Sequence, residues 1–98
     1  MASRQTQKKT VLQPRKKTLQ TRMRRIGGQI AGIQEMIERD RYCVDIMTQI
    51  SAAKSALDSV AMLLLEDHTR HCVKDALANG GGNQKIEELV RVVKKYTK

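Results

Sequence analysis

The stretch Glu66-Asp67-His68-Thr69-Arg70-His71-Cys72-Val73 holds both histidines of the chain and one of its two cysteines. Imidazole and thiolate packed so closely are donors of a transition-metal site. On a helix, positions four apart share a face, which makes His68 and Cys72 neighbours. His71 is turned about 100° from Cys72 and is expected at the surface. Two ligands do not close a site, and the only other thiol is Cys43. If one helix runs between them, Cys43 and Cys72 are about 43 Å apart at 1.5 Å per residue, so one chain cannot bring them together. An antiparallel pairing of two such helices can. It lays Cys43 of one protomer beside His68 and Cys72 of the other, and a two-fold axis then makes two equivalent sites.

Two thiolates and one imidazole form a three-coordinate soft set that suits copper(I), whereas structural zinc asks for a fourth ligand that the sequence does not obviously provide. A plainer reading makes Cys43 and Cys72 small buried hydrophobes and His68 a satisfied polar residue, and spacing alone leaves both readings open. A Cys–His nucleophile pair is the poorer alternative, because nothing here supplies an oxyanion hole or substrate pocket. No enzyme activity is expected.

Three helices have to position these residues. Residues 1–16 are polar, carry the only proline, Pro14, and are expected to form a disordered basic tail. From about residue 17 to 39, apolar residues recur at Leu19, Met23, Ile26, Ile30, Ile33 and Ile37, a coiled-coil-like stripe. Gly27, Gly28 and Gly32 weaken that helix intrinsically, and the preferred reading is that they admit another backbone at close range. Asp40 can cap a second helix running to about residue 78. Its stripe passes through Met47, Ile50, Leu57, Ala61 and Leu64 to His68, and further apolar residues widen it past one face. That helix should be central and the most buried. Asn79 to Asn83 (NGGGN) breaks the chain. A short third helix follows with Ile86, Leu89, Val90 and Val93 on one side. Glu87 and Glu88 are expected near its start and Lys94, Lys95 and Lys98 near its end, matching the helix dipole.

Ninety-eight residues with no Phe or Trp make one small all-α domain whose thin core favours burial against copies of itself. Two cysteines are too few for a disulfide framework, and a Cys beside His reads better as a reduced thiol in the cytoplasm. No apolar run approaches membrane-spanning length, and the basic N-terminus lacks the apolar stretch of a signal peptide. The net charge of +9 is unevenly placed. Arg4, Lys8, Lys9, Arg15, Lys16, Lys17, Arg22, Arg24 and Arg25 all precede Ile26, with no acid before Glu35, and the remaining basic and acidic residues balance. Such an arm and helix face suits a polyanion better than a solubilising role, and the charges lack the interleaved bulky apolar residues of a membrane-adhering segment.

The segments RRIGGQIAGI, RYCVDIMTQISAAKSAL and LLLEDHTRHCV resemble the bacterial copper-sensing repressors of the CsoR/RcnR family, over about residues 18–98. Cys43, His68 and Cys72 stand at the Cys…His-x-x-x-Cys positions of the copper sensors. Nickel/cobalt and formaldehyde sensors typically change the last of these, and persulfide sensors lose the histidine. The resemblance implies an all-helical antiparallel dimer, a four-helix bundle paired into a homotetramer, that binds operator DNA without a helix-turn-helix and releases it on binding Cu(I). It further implies that Tyr42 and Glu88 link the ligating histidine to the third helix, as partners on the other nitrogen of a ligating histidine do. Gly27 and Ala31 stand where relatives commonly carry polar or charged residues, and Ser59 where a basic one is frequent. Lys54 and the long tail are the candidates to compensate. The DNA contacts expected here are Arg22, Arg24, Arg25 and Lys54. The rival readings are a reactive-sulfur sensor using Cys43 and Cys72, a constitutive basic DNA-binding bundle, and a copper buffer. The retained His68 weighs against the first, and the charge balance after Ile26 against the second.

Overall fold

The computed structural model describes residues 10–96. They form three helices: α1 (Lys16–Glu38), α2 (Cys43–Asn79) and α3 (Gly82–Val93), and no strand occurs among them. Residues 1–9, the larger part of the expected tail, and Lys98 lie outside the described residues.

The α1–α2 corner differs from expectation. Asp40 does not cap the second helix; it closes the first. Its φ is +54°, a left-handed conformation that Asp tolerates better than most residues. The Arg41 N–H donates to the Met36 carbonyl at 3.0 Å and the Asp40 N–H to the Ile37 carbonyl at 3.1 Å. These are the paired bonds of a Schellman helix end. Tyr42, in extended conformation, then occupies the N-cap of α2, and Asp45 lies in its first turn, favourable to the helix dipole.

At the other corner Gly80 has φ 81° and ψ −165°, a region essentially restricted to glycine. Gly81 follows at φ 77°, ψ 19°. Two consecutive positive-φ residues turn the chain back on itself. Because α3 starts at Gly82, its first turn holds no acid and its last turn holds Arg91. Only half of the expected dipole arrangement forms: Lys94 is the C-cap with Lys95 next to it, as expected, whereas Glu87 and Glu88 fall mid-helix.

Both α1 and α3 pack against α2, which is thus the shared spine. Leu19, Ile26 and Val60 form the core, with Ala56 and Leu63 against them. The expected α1 stripe divides, whereas the expected α2 stripe stays largely outside the core and a neighbouring face of α2 turns inward. On α1, Leu19 and Ile26 are buried and Ile33 half-buried, whereas Met23, Ile30 and Ile37 are exposed. On α2, Ala53, Val60 and Asp67 turn inward, whereas Met47, Ile50, Leu57 and Leu64 stay exposed. A seven-residue step keeps each row on its own face of the helix. The central helix is thus largely uncovered within one chain. The expected close backbone approach at the α1 glycines is also not made within the chain: a Cβ at Gly27, Gly28 or Gly32 would meet nothing within 4 Å.

Candidate metal centre and its surroundings

Cys43 opens α2 and is exposed; Cys72 is 5% exposed near its far end. His68 is half-buried and His71 exposed. Since α2 is unbroken from Cys43 to Asn79, the two thiols are held about 43 Å apart. The fold therefore places His68 and Cys72 on adjacent turns of one face and keeps Cys43 away from them. Among the described residues of a single chain, no three His, Cys, Asp or Glu side chains converge on a point that could hold a metal. The donors nevertheless fit a soft ion, being two thiols and one imidazole.

His68 borders two clefts. In one, it shares the walls with Ala61, Leu65, Glu88, Leu89 and Tyr96, so α3 brings Glu88 to the His68 side of α2. In the other, residues 11–15 of the arm run past His68, His71 and Lys74. Tyr42, 69% exposed, lies one residue before Cys43. It is some 39 Å along α2 from His68 of its own chain.

An ion-pair network that the sequence did not reveal sits beside His68. Arg15 Nε donates to both Asp67 carboxylate oxygens at 3.2 Å, and its Nη2 reaches Asp67 Oδ1 at 2.7 Å and Glu66 Oε1 at 3.1 Å. Arg70 Nη2 donates to Glu66 Oε2 at 2.8 Å. Asp67 is 8% exposed, the one buried charged side chain among the described residues. Hydrogen bonds from Arg70 and then Arg15 hold the Glu66 carboxyl below its ordinary range, and those to Asp67 and Glu66 raise the Arg15 guanidinium above its own. Arg15, counted by composition among the free charges of the tail, is instead tied to α2 across 52 residues of sequence. Nothing local in the sequence marks a pair so distant.

A second pair joins α2 to α3. Lys85 Nζ donates to Asp75 Oδ2, and the Asn79 side-chain amide donates to Asp75 Oδ1 at 2.9 Å. These two bonds lower the Asp75 carboxyl, Lys85 being the larger cause. By contrast, Arg22, Arg24, Arg25 and Lys54 are exposed and enter no ion pair among the described residues. No helix among the described residues is long and apolar enough to cross a membrane.

An all-helical chain with an exposed basic helix face and an incomplete soft-metal donor set defines a class of metal-responsive regulators. The chain belongs to the metal-sensitive transcriptional repressor family, whose model matches residues 15–95; the family consists of repressors, not enzymes. It is 55% identical over 83 residues to the copper-sensing transcriptional repressor CsoR of Bacillus subtilis, covering 85% of this chain and 82% of that protein. Its fold is similar to the crystal structure of the copper-sensing repressor CsoR with Cu(I) from Geobacillus thermodenitrificans, with TM-score 0.81 and 42% identity over 91% of this chain and 95% of that one. It also resembles the nickel-responsive transcriptional regulator InrS, with TM-score 0.71 and 35% identity over 82% and 90% of the two chains.

Proposed function

We propose that this protein is a cytoplasmic copper(I)-responsive transcriptional repressor that binds operator DNA in the metal-free form and is released when copper binds. One observation carries the reading. The unbroken α2 presents Cys43 at one end and His68 with Cys72 at the other, so its donors complete a site only between two protomers. Cys43, His68 and Cys72 would hold the ion, supplying two thiolates and one imidazole that favour Cu(I). Bound copper would act as a soft cross-link between protomers.

The exposed apolar rows support the pairing. Ile50, Leu57 and Leu64 on α2 and Met23, Ile30 and Ile37 on α1 are surfaces that a monomer leaves in water. An antiparallel dimer buries the α2 row, and pairing of dimers provides for the rest. In that arrangement Tyr42 arrives with Cys43 from one protomer, and Glu88 with His68 and Cys72 from the other. Glu88 then orients the His68 ring from α3, and Tyr42 approaches from across the interface. Arg22, Arg24, Arg25 and Lys54, with the arm that begins before Thr10, form the phosphate-binding surface. A site shared between protomers ties their relative placement to metal occupancy, and reciprocity requires DNA to weaken copper affinity by the factor by which copper weakens DNA affinity.

The test is binding to the DNA upstream of the protein's own gene, with and without Cu(I). The expected result is a tight metal-free complex that copper dissociates. A complex indifferent to copper overturns the reading.

A further inference from the structure

We propose that Asp75 and Lys85 are a positioning pair that holds α3 as a cover over Cys72. The consequence for copper rests on the reading above; the cover itself does not. The Gly80–Gly81 turn makes α3 run back along α2, and successive contacts fix the register. A Cβ on Gly82 would lie 3.3 Å from that of Ala76. Three residues further along α3, Lys85 meets Asp75. Further still, Glu88, Leu89 and Val92 share a cleft with His68, Leu65 and Ala61. Cys72 falls between these stations, on the same face as His68 and Asp75 by helical spacing.

Within one chain, the other segments that pack on this part of α2 are fixed elsewhere. The start of α1 is fixed opposite Asp67 through Arg15, a full turn short of Cys72, and the arm lines the cleft that holds His71 and Lys74 instead. Within one chain this leaves α3 as the element to which we assign the 5% exposure of Cys72. The hydrogen bond to Asp75 is the chief reason the charged form of Lys85 is favoured.

This cover is lightly held. α3 contains no buried residue of its own; Leu89 and Val93 are half-buried, and Ile86 and Val90 are exposed. Asp75–Lys85 is the one ion pair between α2 and α3 among the described residues. The two thiols of a shared site thus start from unequal states, with Cys43 presented and Cys72 withheld. When the binding-competent state is only a fraction of the population, apparent affinity falls by that fraction. The pair consequently sets how much copper is needed to trip the sensor.

The experiment uses the full-length, reduced, metal-free protein. Iodoacetamide labelling of Cys72 and Cys43 is followed separately by peptide mass spectrometry, with amide exchange in the α1–α2 core as a control. Asp75→Asn and Lys85→Gln should each accelerate labelling of Cys72 by roughly two- to fivefold, the range for a partly exposed ion pair, with Cys43 unchanged. The exchanged pair, Asp75→Lys with Lys85→Asp, should restore slow labelling. Cu(I) affinity, measured against a chromophoric chelator, should rise in both single variants by the same factor as the labelling rate. Unchanged Cys72 labelling overturns the proposal. So does faster labelling matched by equal loss of core amide protection, which makes the pair a general stabiliser. If the wild-type protein binds no Cu(I) while the labelling pattern holds, the copper reading fails and the cover stands.

Discussion

Two histidines three residues apart separate cleanly by surroundings. His68 is half-buried between the arm and α3, in a cleft shared with Glu88; His71 is exposed and one position off the face of Cys72. His68→Ala should leave a folded protein that still binds DNA but no longer releases it with copper, and Cys43→Ala should behave the same way. His71→Ala should respond as wild type. DNA-binding titrations with and without Cu(I) decide this, and a copper-blind His71→Ala protein would falsify the ligand assignment. Helical spacing was enough to set the two histidines on different faces, with His71 at the surface. It was not enough to foresee Asp67, whose buried carboxylate and Arg15 partner are 52 residues apart in the chain.

Among the elements, the α2–α3 corner is the most sequence-constrained backbone. Gly80 occupies a conformation essentially closed to residues with a Cβ, although the space around it is open. Gly80→Ala should therefore destabilise the protein by about 1–3 kcal/mol through backbone strain alone, read as a lowered midpoint in urea unfolding. Acid should loosen both attachments to α2. The carboxyls of Glu66 and Asp75 are lowered by their cationic partners, so their contribution is present above the ordinary carboxylate pKa and is lost as pH falls through the lower folded values. Lys85, raised by Asp75, contributes below its ordinary value and loses its part only as pH rises through the higher folded one. Docking of α3 should therefore hold at neutral pH and weaken below about pH 4. The expected signature is faster amide exchange in α3 than in the α1–α2 core as pH is lowered, after correction for intrinsic rates.

For the whole molecule, the exposed apolar rows and the spacing of about 43 Å both point to the proposed antiparallel dimer. Mixing Cys43→Ala with Cys72→Ala protein should regenerate copper sites, because each mixed dimer keeps one site with all three ligands. With random exchange about a quarter of wild-type capacity should return, as two-fold symmetry requires. Equilibrium dialysis of exchanged mixtures measures it, and no recovery refutes the inter-subunit site. DNA affinity should fall steeply with salt, at a slope of about −0.9 in log–log form per neutralised phosphate. Arg22→Ala or Arg25→Ala should reduce that slope and weaken metal-free binding, with copper affinity in the absence of DNA nearly unchanged. An unaltered slope in both variants puts the DNA surface elsewhere.

The helical class, three elements and their approximate limits were legible in the sequence, because apolar spacing and glycine-rich breaks are local signals. The His68–Cys72 pair was legible for the same reason, and the impossibility of closing a site in one chain followed from helix rise alone. The sequence could not assign Asp40. A residue that caps helices and also tolerates left-handed backbone fits either side of a turn, and here the end of α1 claimed it. Nor could periodicity say which apolar row of each helix would be buried within the chain, since rows with the same seven-residue step are equivalent until a partner helix arrives. Tertiary structure made that choice, turning Leu19, Ile26 and Val60 inward and leaving Ile50, Leu57 and Leu64 in water. It also decided that Arg15 belongs to Asp67 and that Cys72 is buried while Cys43 is exposed. Both depend on contacts between segments far apart in the chain, which only the packing of one helix on another can fix.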